Sequence, residues 1–408
     1  LIPAVIDTAP GLSVLSSNVG GAGEVYVHFR LGDDARPQFL YCRFAGSGLS
    51  FRKRVLTRVA LNGASLSAAA TFFLREGWLT SQDSIAAEPQ PQSGRVPEIP
   101  RALAYGLQQG LAALPKLGIY ALMAASYALI YGLVGRINLA FGALTAIGGM
   151  VAVLALMAFD LTGFATLPYG LAVGLWASWT TGAVYALALS RGVIEPMAFR
   201  SGQAALIASV GLSLVLSEFL RIAQGANSLW LPPILNATIV VARAPDFAVT
   251  LTPMALVIAV LAGVAALLLV WQMRVTRFGR QWRATAEDPL AAELFGINPR
   301  DLVGQTFGFA AALAALAGAL VVLHYGGIGF AGGAQLGLTA LVAAVLGGIG
   351  SVGAAMAGGV LIGLIEAVWS ALLPIEHRET ALYSLLALAL IFRPTGLFGG
   401  RDTAPMRV

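Results

Sequence analysis

The sequence predicts an all-α polytopic membrane protein of about 8–10 transmembrane helices, some of them broken, preceded by a small β-rich domain. Three observations carry this expectation. The 408 residues are 58% hydrophobic and only 11% charged, whereas soluble domains carry about 25% charged residues. The mean hydropathy is +0.79. From about residue 101 long apolar runs alternate with short polar ones, while residues 1–88 alternate strand-like segments with turns.

In the front region, Val25–Arg30 alternates with period two, and Gln38–Phe44, Arg54–Ala60 and Ser67–Phe73 resemble it in length or pattern. Gly32-Asp33-Asp34, Gly46-Ser47-Gly48 and Asn62-Gly63 separate them as turns. A small soluble sandwich is one arrangement for such strands. Acids and bases nearly balance here, so no nucleic-acid partner is expected. The domain is either a docking or sensing module or a passive appendage. Residues 89–100 form a linker, introduced by the Pro/Gln-rich stretch Ala87–Gly94. No charged segment followed by an apolar core opens the chain at Leu1, so no signal peptide is read there; a removed leader and an unusual start both fit.

Residues 101–400 hold the membrane domain. Apolar runs lie near 116–134, 141–159, 166–189, 204–222, 252–273, 303–323, 336–349, 353–373 and 380–393. Most approach the roughly 20 residues that cross a bilayer. The runs at 336–349 and 380–393 are short, and 101–114 can extend the first run backwards across Pro115. One set of connecting segments holds Arg136, Arg191, Arg200, Arg274, Arg277, Arg280, Arg283, Arg300 and Arg393, and the tail 401–408 adds Arg401 and Arg407; the other set holds only Arg243 and Arg378, with Lys116 and Arg221 at span edges. Positive residues favour the cytoplasm. The C-terminal tail is therefore expected in the cytoplasm, and an odd number of spans puts the β-rich domain outside. An additional helix at 101–114 would reverse the latter.

Between two long apolar runs lies the polar stretch Arg283–Pro299. Asp288 suits a helix N-cap and Pro289 the first helical position. Leu290 to Phe295 form helix readily, and Gly296 can end it in the left-handed conformation. The expected helix is about two turns, roughly 10 Å long, with an Ala face and a Leu/Phe face. A capped helix this short, isolated between spans, calls for a partner to hold it.

A second polar interruption, Tyr131–Gly142, places Arg136 and Asn138 among glycines. Such a break either lines a cavity at membrane depth or makes an ordinary short turn. Tyr325–Gly333 is a glycine-rich loop or broken helix. Leu346–Gly353 reads as a tight turn packing two helices, since it lacks the Lys-Ser/Thr ending of a phosphate-binding loop. Two acids fall within apolar runs. Glu218 can pair with Arg221 three residues on. Glu366 has no partner within one turn, so it binds a polar substrate, takes up a proton, or hydrogen-bonds a neighbouring helix, the last being the commonest role for such groups. Cys42 is the single cysteine, and His28, His324 and His377 are scattered. Neither a metal site nor a cofactor is expected, and no catalytic constellation is present, so the chain is not read as an enzyme.

Five ordered stretches resemble the permease subunits of branched-chain amino-acid ABC importers, a family with relatives for urea and amides. They are Tyr120–Gly132 with Arg136–Gly142; Ile194–Arg200 followed by Ala205–Ser213; Arg283–Asn298; Ala344–Ser351; and Phe392–Gly399. The resemblance runs from about 105 to 400 and leaves out the β-rich front end.

It implies a multi-pass bacterial inner-membrane protein; the Arg count with an odd number of spans is what puts the N-terminal domain in the periplasm. Its partners would be two cytoplasmic ATPases, a second permease subunit in a homo- or heterodimer, and a periplasmic binding protein, all in a lipid bilayer. ATP hydrolysis would belong to the separate ATPase chains. The short helix would fit a groove on an ATPase, assigning coupling to Glu287, Asp288, Pro289, Ala291, Ala292, Leu294, Phe295 and Gly296. The substrate path would involve Asn138, Phe141, Gly142 and Glu366. Where relatives often carry His-Gly-Glu after the first polar break, this chain has Phe141-Gly142-Ala143, which makes that part of the path more apolar. Two other functions fit parts of the sequence: an ion-gradient transporter using Glu366 or Glu218, and a membrane-anchored sensor whose β-rich domain binds a ligand.

Overall fold

The computed structural model describes residues 12–20, 24–31, 38–45, 55–67, 70–71, 74, 97–161, 167–198, 202–225, 229–231, 235, 238–244 and 247–399. The tail 401–408, the turns at 32–34 and 46–48 and the Pro/Gln-rich stretch 87–94 lie outside them. The chain divides into two compact units, one made of 1–94 with 158–170 and the other of 95–157 with 171–408.

The first unit holds five antiparallel strands, β1 (Leu12–Gly20), β2 (Glu24–Leu31), β3 (Gln38–Ala45), β4 (Val55–Leu61) and β5 (Ala64–Ser65), paired in chain order. Period-two alternation, shifted by a bulge at Thr57 in β4, buries Phe29, Leu40, Cys42, Leu56 and Val59 on one face, with Leu74 packed among them. On the other face the Tyr26 and Tyr41 rings lie 4.9 Å apart. Burial pushes the Cys42 thiol pKa above its ordinary value, marking it as a core residue. The Asn62-Gly63 turn has positive φ at both positions (48° and 88°), as a tight hairpin between right-twisted strands needs.

Three sequence expectations change in this unit. The described strands make one sheet, where a sandwich needs two. β1 adds a strand that the front segment did not suggest. The segment Ser67–Phe73 is not a strand over its described residues: Ala70 and Thr71 are helical, and the Thr71 amide donates to the Ser67 carbonyl at 3.0 Å. The Ser67 hydroxyl accepts from the Ala70 amide at 3.2 Å. A serine cap before alanines favours helix over strand.

The second unit is helical. Its elements are α1 (Arg101–Val134), α2 (Ala140–Leu161), α3 (Leu167–Leu189), α4 (Glu195–Ala198), α5 (Gly202–Gln224), α6 (Pro253–Val275), α7 (Arg277–Glu287), α8 (Pro289–Leu294), α9 (Pro299–Tyr325), α10 (Gly332–Gly347), α11 (Val352–Leu372) and α12 (Arg378–Phe392). Each of the nine apolar runs falls in its own helix. Seven helices are long and apolar enough to cross a membrane; α10 and α12, with 16 and 15 residues, are the two short ones. Residues 101–114 continue straight into the first run as one 34-residue helix containing Pro115. They lengthen that span to about 51 Å and add no further crossing.

α9 is the axis of the unit, buried along most of its length. Backbones meet closely around it. A Cβ on Gly318 would stand 1.9 Å from the Thr145 carbonyl oxygen of α2, and the Ser178 hydroxyl of α3 lies 2.9 Å from the Gly148 carbonyl and 2.8 Å from that of Ala315. Small residues thus hold the helices together where lipid offers no hydrophobic contrast.

Two further contacts join segments distant in sequence. The Leu397 and Phe398 amides donate to the carbonyls of Leu346 and Gly347 at 2.8 and 2.9 Å, so the C-terminal motif docks on the turn after α10. A hairpin of β6 (Ile239–Arg243) and β7 (Ala248–Leu251) packs against the start of α1 through Ala104, Ala242, Ala244 and Val249. The runs Ile239–Arg243 and Ala248–Leu251, separated by a short segment with Pro245 and Asp246, carry the signal for that hairpin.

Candidate functional site

The Arg283–Pro299 stretch divides between two helices. Arg283–Glu287 closes the eleven-residue α7, which the polar composition of the segment did not suggest. α7 starts at Thr276, whose hydroxyl accepts from the Gly279 amide at 3.3 Å. Arg277, Arg280 and Arg283 lie on its exposed surface, and Trp282 points inward. The Trp282 indole N–H donates to the Leu129 carbonyl of α1 at 3.0 Å, and its ring fills the space beside Gly132, where a Cβ would stand 2.4 Å from it. α7 is therefore a strut tied to the first span, and α8 projects from its end.

α8 has the expected caps. Asp288 Oδ1 accepts from the amides of Leu290 (2.9 Å) and Ala291 (3.0 Å). Pro289 opens the helix where its missing N–H costs nothing. Gly296 has φ +82°, and the Ile297 amide reaches back to the Ala292 carbonyl at 3.1 Å, a left-handed helix end. Ala292 turns inward at 3% exposure, while Leu294 and Phe295 are 89% and 88% exposed and Leu290 is also exposed. Asn298 then caps α9 by accepting from the Arg300 amide at 3.1 Å. The segment satisfies its own backbone and leaves its largest apolar side chains without cover. Burying such side chains is worth about 1.5–3 kcal/mol each.

The polar break between α1 and α2 is built the other way. Gly135 ends α1 in the left-handed conformation (φ 65°). Asn138 is buried, and its Oδ1 accepts from the Ala140 amide at 3.0 Å, starting α2. Phe141 is buried between Tyr127 and Phe307, with ring centroids 5.2 and 5.6 Å away. Gly142 meets α10 so closely that a Cβ would lie 2.5 Å from the Gly333 carbonyl oxygen. Against Phe141, the buried hydroxyl of Tyr127 has no hydrogen-bond partner among the described residues. A cleft next to the break is lined by Val134, Arg136, Asn138, Ile194, Ala205 and Ser209.

Glu366 stands apart from both. It is buried in α11, and it gathers partners from two other helices: Lys116 Nζ at 3.1 Å and Tyr120 Oη at 2.7 Å from α1, and Arg378 Nη1 at 2.8 Å from α12. This is the bridging role between helices, made with residues distant in sequence that no local reading could supply. Glu218 pairs with Arg221 at 2.6 Å, as the three-residue spacing suggested. The structure thus brings Asn138, Phe141 and Gly142 together, sets residues 288–296 on a separate projection, and leaves Glu366 with a third group. Among the described residues no cluster of three or more His, Cys, Asp or Glu could hold a metal ion.

Comparison with known proteins matches residues 111–393 to the family described as the branched-chain amino acid transport system / permease component. The chain is 35% identical over 295 residues to the high-affinity branched-chain amino acid transport system permease protein LivH of Escherichia coli K12, covering 72% of this chain and 96% of the relative. Identity and coverage are the same for LivH of Salmonella typhimurium. The permease protein BraD of Pseudomonas aeruginosa is 32% identical over 293 residues, 72% of this chain and 95% of that protein. No solved structure matches. The matched region begins within α1, so the five strands β1–β5 lie outside it.

Proposed function

Because the chain belongs to the permease family of branched-chain amino-acid transport systems, a family of multi-pass membrane transport subunits, we propose that it imports branched-chain or related amino acids by alternating access. Its drive is ATP hydrolysis in separate cytoplasmic ATPase subunits, and a periplasmic binding protein delivers the solute to a pair of permeases. The observation that carries the coupling is the uncovered apolar tip of α8, Leu290, Leu294 and Phe295, on a helix whose ends are both capped. A rigid knob of this kind fits a hydrophobic groove, and α7 and Trp282 relay its displacement to α1. Glu287, Asp288, Pro289, Ala291, Ala292 and Gly296 shape and present the knob.

The arginine bias supports the cytoplasmic side for the α7–α8 end and the C-terminus. An odd number of crossings then carries residues 1–88 to the periplasmic side. The substrate path runs beside Asn138, Phe141 and Gly142, where the buried Tyr127 hydroxyl is open to a polar group. An ion-gradient mechanism is disfavoured, since both carboxylates offered for it are already ion-paired. Co-purification of the permease with its ATPase subunits tests the coupling assignment. Phe295→Asp is expected to release the ATPases and stop ATP-dependent uptake in proteoliposomes. Intact assembly and uptake in that variant would refute it.

A further inference from the structure

The Glu366 cluster lies at the end of the bundle opposite the α7–α8 loop. α9 leaves that loop at Pro299 and reaches its other end at Tyr325, some 40 Å away at 1.5 Å per residue. Tyr325 and His324 fall within the electrostatic reach of Lys116 and Glu366. Arg378 is the first residue of α12. Four helices, α1, α9, α11 and α12, therefore bring polar groups to one place.

The charges there do not balance. Lys116 and Arg378 both donate to Oε1 of Glu366, and the Tyr120 hydroxyl holds Oε2. Two cations thus face one carboxylate, and among the described residues no other carboxylate lies within ion-pairing distance of either. One cation suffices to neutralise a buried carboxylate, and a second in apolar surroundings is costly unless water or an anion meets it. Exposure follows the same division. Glu366 is 2% exposed, whereas the Lys116 and Arg378 side chains are 23% and 28% exposed. The acid is sealed in and each cation keeps an open side. Lysine has three donors and arginine five; one of each is spent on Glu366 and another of Lys116 on the Tyr325 hydroxyl, which leaves donors on both cations.

We propose that Lys116 and Arg378 form a receiving site for the carboxylate of a small amino acid at the end of the bundle away from the coupling loop. Glu366 and Tyr120 act as positioning residues: Oε1 of Glu366 gathers both cations and the Tyr120 hydroxyl fixes Oε2. The arginine fork and the lysine ammonium supply charge-assisted hydrogen bonds to both oxygens of the incoming group, and the excess charge is neutralised only when the solute arrives. The identity of the solute rests on the import function proposed above; the affinity for a carboxylate does not.

The test uses the full permease purified with its ATPase subunits. Its melting temperature is followed against 4-methylpentanoate, the leucine skeleton without its amino group, and against the uncharged 4-methylpentanamide. The carboxylate is expected to raise the melting temperature and the amide to leave it unchanged. Lys116→Gln and Arg378→Gln each leave one cation on Glu366, so each should still assemble while weakening the apparent carboxylate affinity at least ~10-fold, the loss of one charge-assisted bond. Equal response to acid and amide, or unchanged affinity in both variants, overturns the site. Leucine uptake in proteoliposomes separates the two failures. A wild-type complex that binds the carboxylate but moves no branched-chain amino acid sinks the import function and keeps the site. A complex that moves leucine with both variants at the wild-type rate sinks the site alone.

Discussion

Asn138 and Asp288 do the same local job in opposite surroundings. Each puts a side-chain oxygen on the first free amides of a helix, one starting α2 and the other α8. The residues beyond the two caps meet different fates. After Asn138 comes Phe141, enclosed by Tyr127 and Phe307; after Asp288 come Leu294 and Phe295, almost wholly uncovered. The first interruption is closed within the subunit. The second is complete in its backbone and incomplete in its apolar surface, which is what the proposed docking onto an ATPase subunit requires.

Putting the same charge on the two phenylalanines tests this contrast most severely. Phe141→Asp buries an unpaired carboxylate and is expected to cost about 4 kcal/mol or more, seen as loss of folded permease in detergent. Phe295→Asp should leave the melting temperature of the isolated permease unchanged and weaken ATPase assembly by about 2 kcal/mol or more, roughly 30-fold, as at an interface hot spot. If both variants unfold, or neither does, the distinction between a closed and an open interruption is lost.

Gly142→Val should come next. The added side chain meets the Gly333 backbone, and overpacking of this kind costs about 1–3 kcal/mol; thermal unfolding measures it. The counterpart on the other segment, Gly296→Ala, strains only the left-handed helix end, since no atom lies within 4 Å of the position. It should cost about 1 kcal/mol and register in ATPase affinity. The caps give the smallest effects. Asn138→Ala and Asp288→Ala each remove about 1 kcal/mol, the first from permease stability and the second from ATPase assembly, about fivefold. Calorimetry of the permease alone beside an assembly titration distinguishes them, and a shared signature for the two caps would blur the contrast.

Much of this contrast is legible in the chain itself. Asp288-Pro289 and Gly296 mark the ends of α8 by rules of the local backbone, so cap, first turn and left-handed end can be read residue by residue. The same holds for the Asn62-Gly63 hairpin and the Glu218–Arg221 pair. Segments whose conformation depends on a distant surface are harder. α7 reads as a polar, arginine-rich loop because its single large inward anchor, Trp282, finds its place only on α1 at Leu129 and Gly132. β1 needs β2 beside it.

By itself the sequence determined the membrane class, the nine apolar helices, the capped helix between the fifth and sixth of them and the family to which these belong. Those features depend on composition, spacing and local backbone chemistry, which are complete within a few residues of chain. The tertiary structure alone decided which interruption is enclosed and which is open, and it converted Glu366 from a lone intramembrane acid into the centre of a two-cation cluster. Lys116 and Arg378 lie 250 and 12 residues from it in the chain. Ion pairs across helices depend on how the helices pack in three dimensions, and no helical period along one segment encodes that.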